Sequence, residues 1–445
     1  MDFASILPVF GNFAFTAAAF IVALSVIVAI HEYGHYIVGR WTGIHAEVFS
    51  LGFGPTVWSR VDKRGTKWQI AALPFGGYVK FLGDSDAASG KDGAAISTLS
   101  EDEKRHTMHG APLWARFLTV LAGPVFNFIL AIVVFTALAL SEGISTYPPK
   151  IDVLYDLPEG ASELQTGDRL VAIEGNKLPE KEGFGDFVDA LPLKPVLAYT
   201  VERNGQEVTV FGPPLMPTRV GSVTPGWGAD RAGILVGDVI LEIEGQQVFE
   251  FGQMIPLINQ TGGKPTVIKL WRDGTVMEIT VEAQKRDLPM ADNQFETRYI
   301  MGISGSYFFT PALERPGLGQ ALLIGGKSTW GVITQSVSGL SHMIAQKISS
   351  CNLSGPLGIA KLSGQLARQG FARFIHFIAM LSTAVGLMNL FPIPVLDGGH
   401  LVFFAYEAVT GKPPSDKALQ IMMTVGLALI LTLMVFALGN DFFCP

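Results

Sequence analysis

His31-Glu32-Tyr33-Gly34-His35 sets two imidazoles four residues apart with a carboxylate next to the first. On a helix, positions i and i+4 share a face, so both rings can reach one ion. Glu32 then lies where it can take a proton from metal-bound water and pass it to a leaving amine. This is the chemistry of a zinc peptidase. An uninterrupted apolar run from Phe13 to Ile30 leads into the motif. Ionisable side chains in a segment of that kind are costly, and by default they mark function. The bland alternative is that the motif simply solvates at a membrane edge.

Two histidines do not complete a catalytic zinc site, which takes three protein ligands and a water. The third ligand must come from another apolar segment at the same depth. From Phe13 to His31 a helix rises about 27 Å, which puts the motif near the far end of its span. Asn389-Leu-Phe-Pro-Ile-Pro-Val-Leu-Asp397-Gly-Gly-His400 ends another apolar stretch that runs in the same direction. Pro and Gly break the backbone there, which at membrane depth is tolerated only against protein or a water-filled cavity. Asp397 is the first choice for the third ligand, with His400 and Glu407 as rivals. Asn127 and Asn389 lie in apolar segments and need partners; each could polarise a substrate carbonyl or hold helices together.

The surrounding elements must supply this geometry. Of 445 residues, 49% are hydrophobic and 16% charged, against roughly a quarter charged in soluble domains. Mean hydropathy is +0.36. Four stretches can cross a bilayer: Phe13–Val38, Pro112–Leu140, Phe371–Phe391 and Ala418–Leu438. The third is the least clean, with Arg373 and His376 near its start. No Lys or Arg occurs in Met1–Asn12, so the first span reads as retained and not as a cleaved signal. Basic residues cluster between Arg40 and Ala111, which places that loop in the cytoplasm and both termini, with Ser141–Gly370, outside. The net charge of −7 argues against a nucleic-acid partner. Cys351 and Cys444 form no CxxC pair; they could bond to each other, with two free thiols as the preferred reading.

Leu51–Trp58 and Lys67–Val79 look like strands joined by a turn at Asp62-Lys-Arg-Gly65. A strand edge near the metal could hold an extended substrate and expose its peptide bond; a plain hairpin is the alternative. The stretch Asp84–Gly110, rich in small and polar residues, is expected to be mobile. The outer segment repeats itself. Thr166-Gly-Asp-Arg-Leu-Val-Ala-Ile-Glu-Gly175 matches Val236-Gly-Asp-Val-Ile-Leu-Glu-Ile-Glu-Gly245, and Arg203-Asn-Gly205 matches Arg272-Asp-Gly274. The string Val220–Ile234 resembles a PDZ domain of the bacterial protease type; the first copy is shorter ahead of its Gly-Asp. Residues 311–348 read as an amphipathic helix, lying on the outer membrane face or packed on the second repeat.

Taken together, the chain resembles the site-2 protease family of intramembrane metalloproteases. The resemblance rests on His31–His35, Gly52-Phe53-Gly54, Pro74–Lys80, Ala122-Gly-Pro-Val-Phe-Asn127-Phe, the tandem repeats, Asn352–Pro356 and Asn389–Gly399, in that order over nearly the whole chain. It implies a polytopic α-helical membrane protein with four transmembrane helices, a membrane-associated β-element and two tandem PDZ-like α/β domains. It implies one Zn2+ held by His31, His35 and Asp397, with Glu32 as catalytic acid/base. Asn127, Asn389 and Gly52, Phe53 and Gly54 would seat the substrate. Expected partners are the bilayer and single-span proteins trimmed on the outer side, such as an anti-sigma factor, with remnant signal peptides. The expected location is a bacterial inner membrane with the PDZ-like units periplasmic, where they would exclude untrimmed substrates. The expected division is 1–40, 41–111, 112–140, 141–215 and 216–285 (the two PDZ-like units), 286–370, 371–400, 401–416 and 417–445. A PDZ-bearing scaffold or chaperone with an inert HExxH is the rival class, and an ion or proton transporter fits less well for want of an inverted repeat.

Overall fold

A lipid-facing backbone must satisfy its own hydrogen bonds, so long apolar runs become helices. The computed structural model describes residues 3–85, 97–158, 162–180, 183–289 and 295–443. The chain divides into two compact units: Met1–Leu140 with Gly317–Ser341 and Leu353–Pro445, and Ser141–Pro316 with His342–Asn352.

The first unit is helical. Its main helices are α1 (Phe3–Trp41), α2 (Leu113–Glu142), α3 (Leu318–Ile344), α4 (Pro356–Arg368), α5 (Phe371–Asn389), α6 (Asp397–Thr410) and α7 (Asp416–Phe443). Four segments are long and apolar enough to cross a membrane: Asn12–Trp41, Leu113–Glu142, Phe371–Asn389 and Lys417–Phe443. These are the four spans expected from the sequence. Outward faces are apolar too, as at Phe13, Val133 and Val435, which suits helices that face lipid. Where the helices meet, small residues bring the backbones close. Ala23 and Ile27 bury against Ile378, and Ala131 against Ala379. A Cβ on Gly386 would lie 3.0 Å from the Pro124 carbonyl oxygen.

Strands β1 (Ala46–Val61) and β2 (Lys67–Phe81) form more than a hairpin. Residues 48–51 pair with 77–80 on one side and with 67–70 on the other, while 56–61 pair with 67–71. Two strands thus fold into four rows, so their pairing is richer than that of a simple hairpin. The turn between them is pinned by Asp62, whose carboxylate accepts from the backbone N–H of Arg64 and Thr66. The expected mobility of Asp84–Gly110 is corrected in part. Residues 86–96 lie outside the described residues, but Met108 belongs to the core formed with Tyr36, Phe49 and Phe81.

Helix α3 falls where the amphipathic helix was expected. Its buried face is Ala321, Gly325 and Thr329. A Cβ on Gly325 would meet the Ile132 carbonyl oxygen of α2, within 2.6 Å. The helix therefore packs on a membrane-length helix of its own unit.

In the second unit the repeat becomes structure. Asn176–Lys177, Arg169–Ile173, Leu197–Arg203 and Gln206–Gly212 form one four-stranded sheet in that order; Gln246–Gln247, Val239–Ile243, Pro265–Arg272 and Thr275–Glu282 form the other. Each copy carries the same buried ion pair. Arg203 grips Asp168 through Nε and Nη2, both at 2.7 Å, and Arg272 grips Asp238 in the same way at 2.7 Å. The matched Gly-Asp and Arg-x-Gly strings are thus the two halves of one clamp. Residues assigned to the connecting region complete both copies: Ile303–Gly305 pairs with Val220–Val223, and Phe309–Pro311 with Ile151–Leu154. The boundary at 285 therefore falls too early. Cys351 is disulfide-bonded, which corrects the preferred reading of free thiols; the other cysteine of the sequence, Cys444, lies outside the described residues.

Candidate metal centre

The helix α1 carries His31 and His35 one turn apart, their ring centroids 4.8 Å from each other. Asp397 opens α6 after a broken stretch that follows α5. The backbone there is tight. Val395 adopts φ +93°, a strained value for a β-branched residue. A Cβ on Gly399 would come within 2.5 Å of the Ile393 carbonyl oxygen. The Asp-Gly-Gly sequence is therefore needed for the broken stretch to fold back on the start of α6.

These elements gather three side chains. His31 Nε2 lies 3.1 Å from Asp397 Oδ2, His35 Nε2 lies 3.5 Å from Asp397 Oδ1, and the two Nε2 atoms are 3.2 Å apart. Ligands bound at 2.0–2.2 Å around a tetrahedral ion sit about 3.3 Å from one another. The two imidazole nitrogens and the carboxylate thus have the spacing of ligand edges. Oδ2 of Asp397 is buried without a hydrogen-bond partner, which a cation would remedy.

The tautomer of His35 fits as well. His35 Nδ1 donates to the Thr119 carbonyl at 2.8 Å, which leaves the Nε2 lone pair free for a metal. Asn127 of α2, fully buried, has its amide nitrogen 3.2 Å from His31 Nδ1. In that orientation Nδ1 accepts and the proton falls on Nε2. Metal binding through Nε2 requires the reverse. A half turn of the amide puts Oδ1 against Nδ1–H and gives a partner to an oxygen that otherwise has none.

Glu32 lies on the neighbouring face, against β2: a Cβ on Gly77 would lie 2.8 Å from Val28 Cγ1 and 3.2 Å from Glu32 Cγ. Phe53 stacks on Tyr78 with ring centroids 5.9 Å apart and packs over Gly76. Gly52 and Gly54 flank it at φ +88° and +85°, where the chain turns from one row of the sheet to another. Asn389 is the last residue of α5, partly exposed. Neither rival ligand joins the cluster, which among the described residues is His31, His35 and Asp397. Glu407 forms a bidentate pair with Arg116 at 2.6 and 3.0 Å, and the His400 ring packs by Phe403.

Sequence reasoning missed Gly123. A Cβ there would collide with His35 Nε2 and come within 2.8 Å of His31 Cε1. The signal was present in Ala122-Gly-Pro, a glycine and a proline inside an apolar span, but nothing in the sequence says which residues it faces.

Two histidines and a carboxylate from the end of one membrane-length helix, met by an aspartate at the start of a shorter one, have the make-up of a membrane metalloprotease site. The chain belongs to Peptidase family M50, whose pattern matches residues 19–433. It is a zinc metalloprotease of the site-2 protease type. It is 36% identical to a candidate zinc metalloprotease of Agrobacterium fabrum, over 95% of this chain and 94% of that one. It is 32% identical to a counterpart in Rhizobium meliloti over 97% of both chains. It is 29% identical to the regulator of sigma-E protease RseP of Salmonella typhimurium, over 96% of this chain and 98% of that one. Membership in this family decides against the scaffold and transporter alternatives.

Proposed function

We propose that this protease cuts single-span membrane proteins within or at the edge of a bacterial inner membrane, with zinc held by His31, His35 and Asp397 and with Glu32 as acid/base. The observation that carries the reading is the convergence of those three side chains, whose ligand atoms lie within 4.8 Å of one another. Zinc bound there would lower the pKa of a water and polarise the scissile carbonyl. Glu32 takes the proton of the attacking water on a carboxylate oxygen and delivers it to the departing amine nitrogen. His35 is held in the ligating tautomer by Thr119, and His31 by Asn127. The rows of β1 and β2 beside Glu32 hold the substrate extended, since a helix hides its peptide bonds; Phe53, between Gly52 and Gly54, and Asn389 line that path.

The likeness to the regulator of sigma-E protease supports substrates already trimmed on the outer side, an anti-sigma factor among them, and remnant signal peptides. The basic flank after α1 supports a cytoplasmic loop, periplasmic termini and a periplasmic repeat unit. The two repeats act there as PDZ-like filters against bulky, untrimmed substrates.

The test uses the full chain in detergent with a single-span model substrate. Wild type cleaves and a zinc chelator stops it. Glu32→Gln keeps stoichiometric zinc and loses about 10³-fold or more in rate. Asp397→Ala loses the metal. Normal zinc content in Asp397→Ala, or an active Glu32→Gln, would overturn these roles.

A further inference from the structure

Where α1 ends, a cavity of about 420 Å³ opens among Arg40, His45, Arg64, Thr66, Glu103 and His106. It plays no part in the metal centre. Arg40 stands in the last turn of the first membrane-length helix, and Trp41 beside it is 72% exposed. An exposed tryptophan closing a span marks the membrane–water boundary. The cavity is therefore at headgroup level.

Its charge is what an anion needs. Arg40 spends one donor on the Tyr36 hydroxyl, 2.9 Å away, out of the five a guanidinium carries. Among the described residues neither Arg40 nor Arg64 has a carboxylate partner within ion-pair distance. The nearby acids stay charged, but their oxygens are taken by other donors, and of them Glu103 alone lines the cavity, against two guanidiniums. Glu103 accepts from the backbone N–H and hydroxyl of Ser100 in a capping box. Asp62 is held by the turn N–H groups and by Trp68 Nε1. His106 donates Nδ1–H to the Gly43 carbonyl at 2.6 Å, which leaves Nε2 available. Two guanidiniums without carboxylates, at a membrane boundary, match a phosphodiester, which arginine binds through two parallel N–H groups.

We propose that this cavity binds the phosphate of an anionic phospholipid of the leaflet on the Arg40 side. The lipid headgroup is favoured over free phosphate because the cavity adjoins a span end, where a tethered phosphate is always at high local concentration. The bound headgroup would also join the end of α1 to the β1–β2 turn, since Arg40 belongs to the first and Arg64 to the second.

The proposal stands apart from the protease assignment and is tested without it. The full chain, purified in detergent, is titrated with phosphatidylglycerol or phosphatidylcholine and bound lipid is counted by native mass spectrometry. Wild type should retain phosphatidylglycerol in preference to phosphatidylcholine. Arg40→Ala with Arg64→Ala should weaken that retention about tenfold to thirtyfold, and Arg40→Lys with Arg64→Lys should restore much of it. Arg64→Ala alone, in an exposed turn, should give an intermediate loss in a chain with unchanged melting temperature and zinc content. Equal retention by wild type and the double alanine variant, or equal retention of the two lipids, would overturn the proposal. So would displacement of phosphatidylglycerol by inorganic phosphate at equal concentration, which would assign the cavity to the free anion.

Discussion

At the residue scale, the cluster of His31, His35 and Asp397 depends on the groups packed beside it. Gly123 leaves the space that the two imidazoles occupy. Gly123→Ala is expected to lower zinc affinity about 10–100-fold, while the helix content stays that of wild type; metal analysis beside circular dichroism separates the two. Asn127 offers a sharper test, because the sequence suggested a substrate contact and the structure sets it against His31. If Asn127 holds the imidazole, Asn127→Leu weakens zinc binding by a similar factor. A variant with full zinc and a raised KM would return Asn127 to the substrate.

At the element scale, Asp397 is only as well placed as the helix it begins. The helix α6 starts at Asp397, and Glu407 near its other end is clamped by Arg116 of α2, which also donates Nε–H to the Ala111 carbonyl. Leaving one charge of a pair of this kind unpaired costs about 3 kcal/mol, whereas replacing both with apolar groups can be nearly neutral. Glu407→Ala is therefore expected to lower the melting temperature clearly, and Arg116→Met with Glu407→Met to recover most of it. Recovery of stability without recovery of cleavage would show that the clamp sets the direction of α6 and does more than hold it.

At the scale of the whole molecule, the two units have different physics. The helical unit faces outward with apolar side chains, while the repeat unit is held by conventional cores and the twin Asp–Arg clamps. Burial alone would push the Asp168 carboxyl up, but the Arg203 guanidinium and the Gln165 N–H hold it below the usual carboxylate range. A carboxyl depressed in the folded state contributes stability that is present above its unfolded pKa, about 3.9, and is lost as pH falls through the folded value. Acidification below about pH 4 should therefore loosen the repeat unit, and Asp168→Asn should lower its stability at neutral pH and flatten that dependence. Melting curves from pH 7 to pH 3 would check both, with the unit's transition followed separately because a two-unit chain need not unfold in one step.

The sequence by itself determined the spans, the HExxH helix, the tandem repeat and the candidacy of Asp397, because each is written in local spacing: four residues for a helix face, about twenty for a bilayer, seventy between the matched strings. Only the tertiary structure sets Asp397, and not His400 or Glu407, beside His31 and His35, since all three belong to one helix and the outcome depends on which of them meets α1. It also decided that β1 and β2 fold into four rows, that residues 303–311 complete both repeats, and that Gly123 is part of the metal centre. The reason is the same in each case. These facts depend on contacts between segments far apart in the chain, and neither hydropathy nor spacing encodes which surfaces come together.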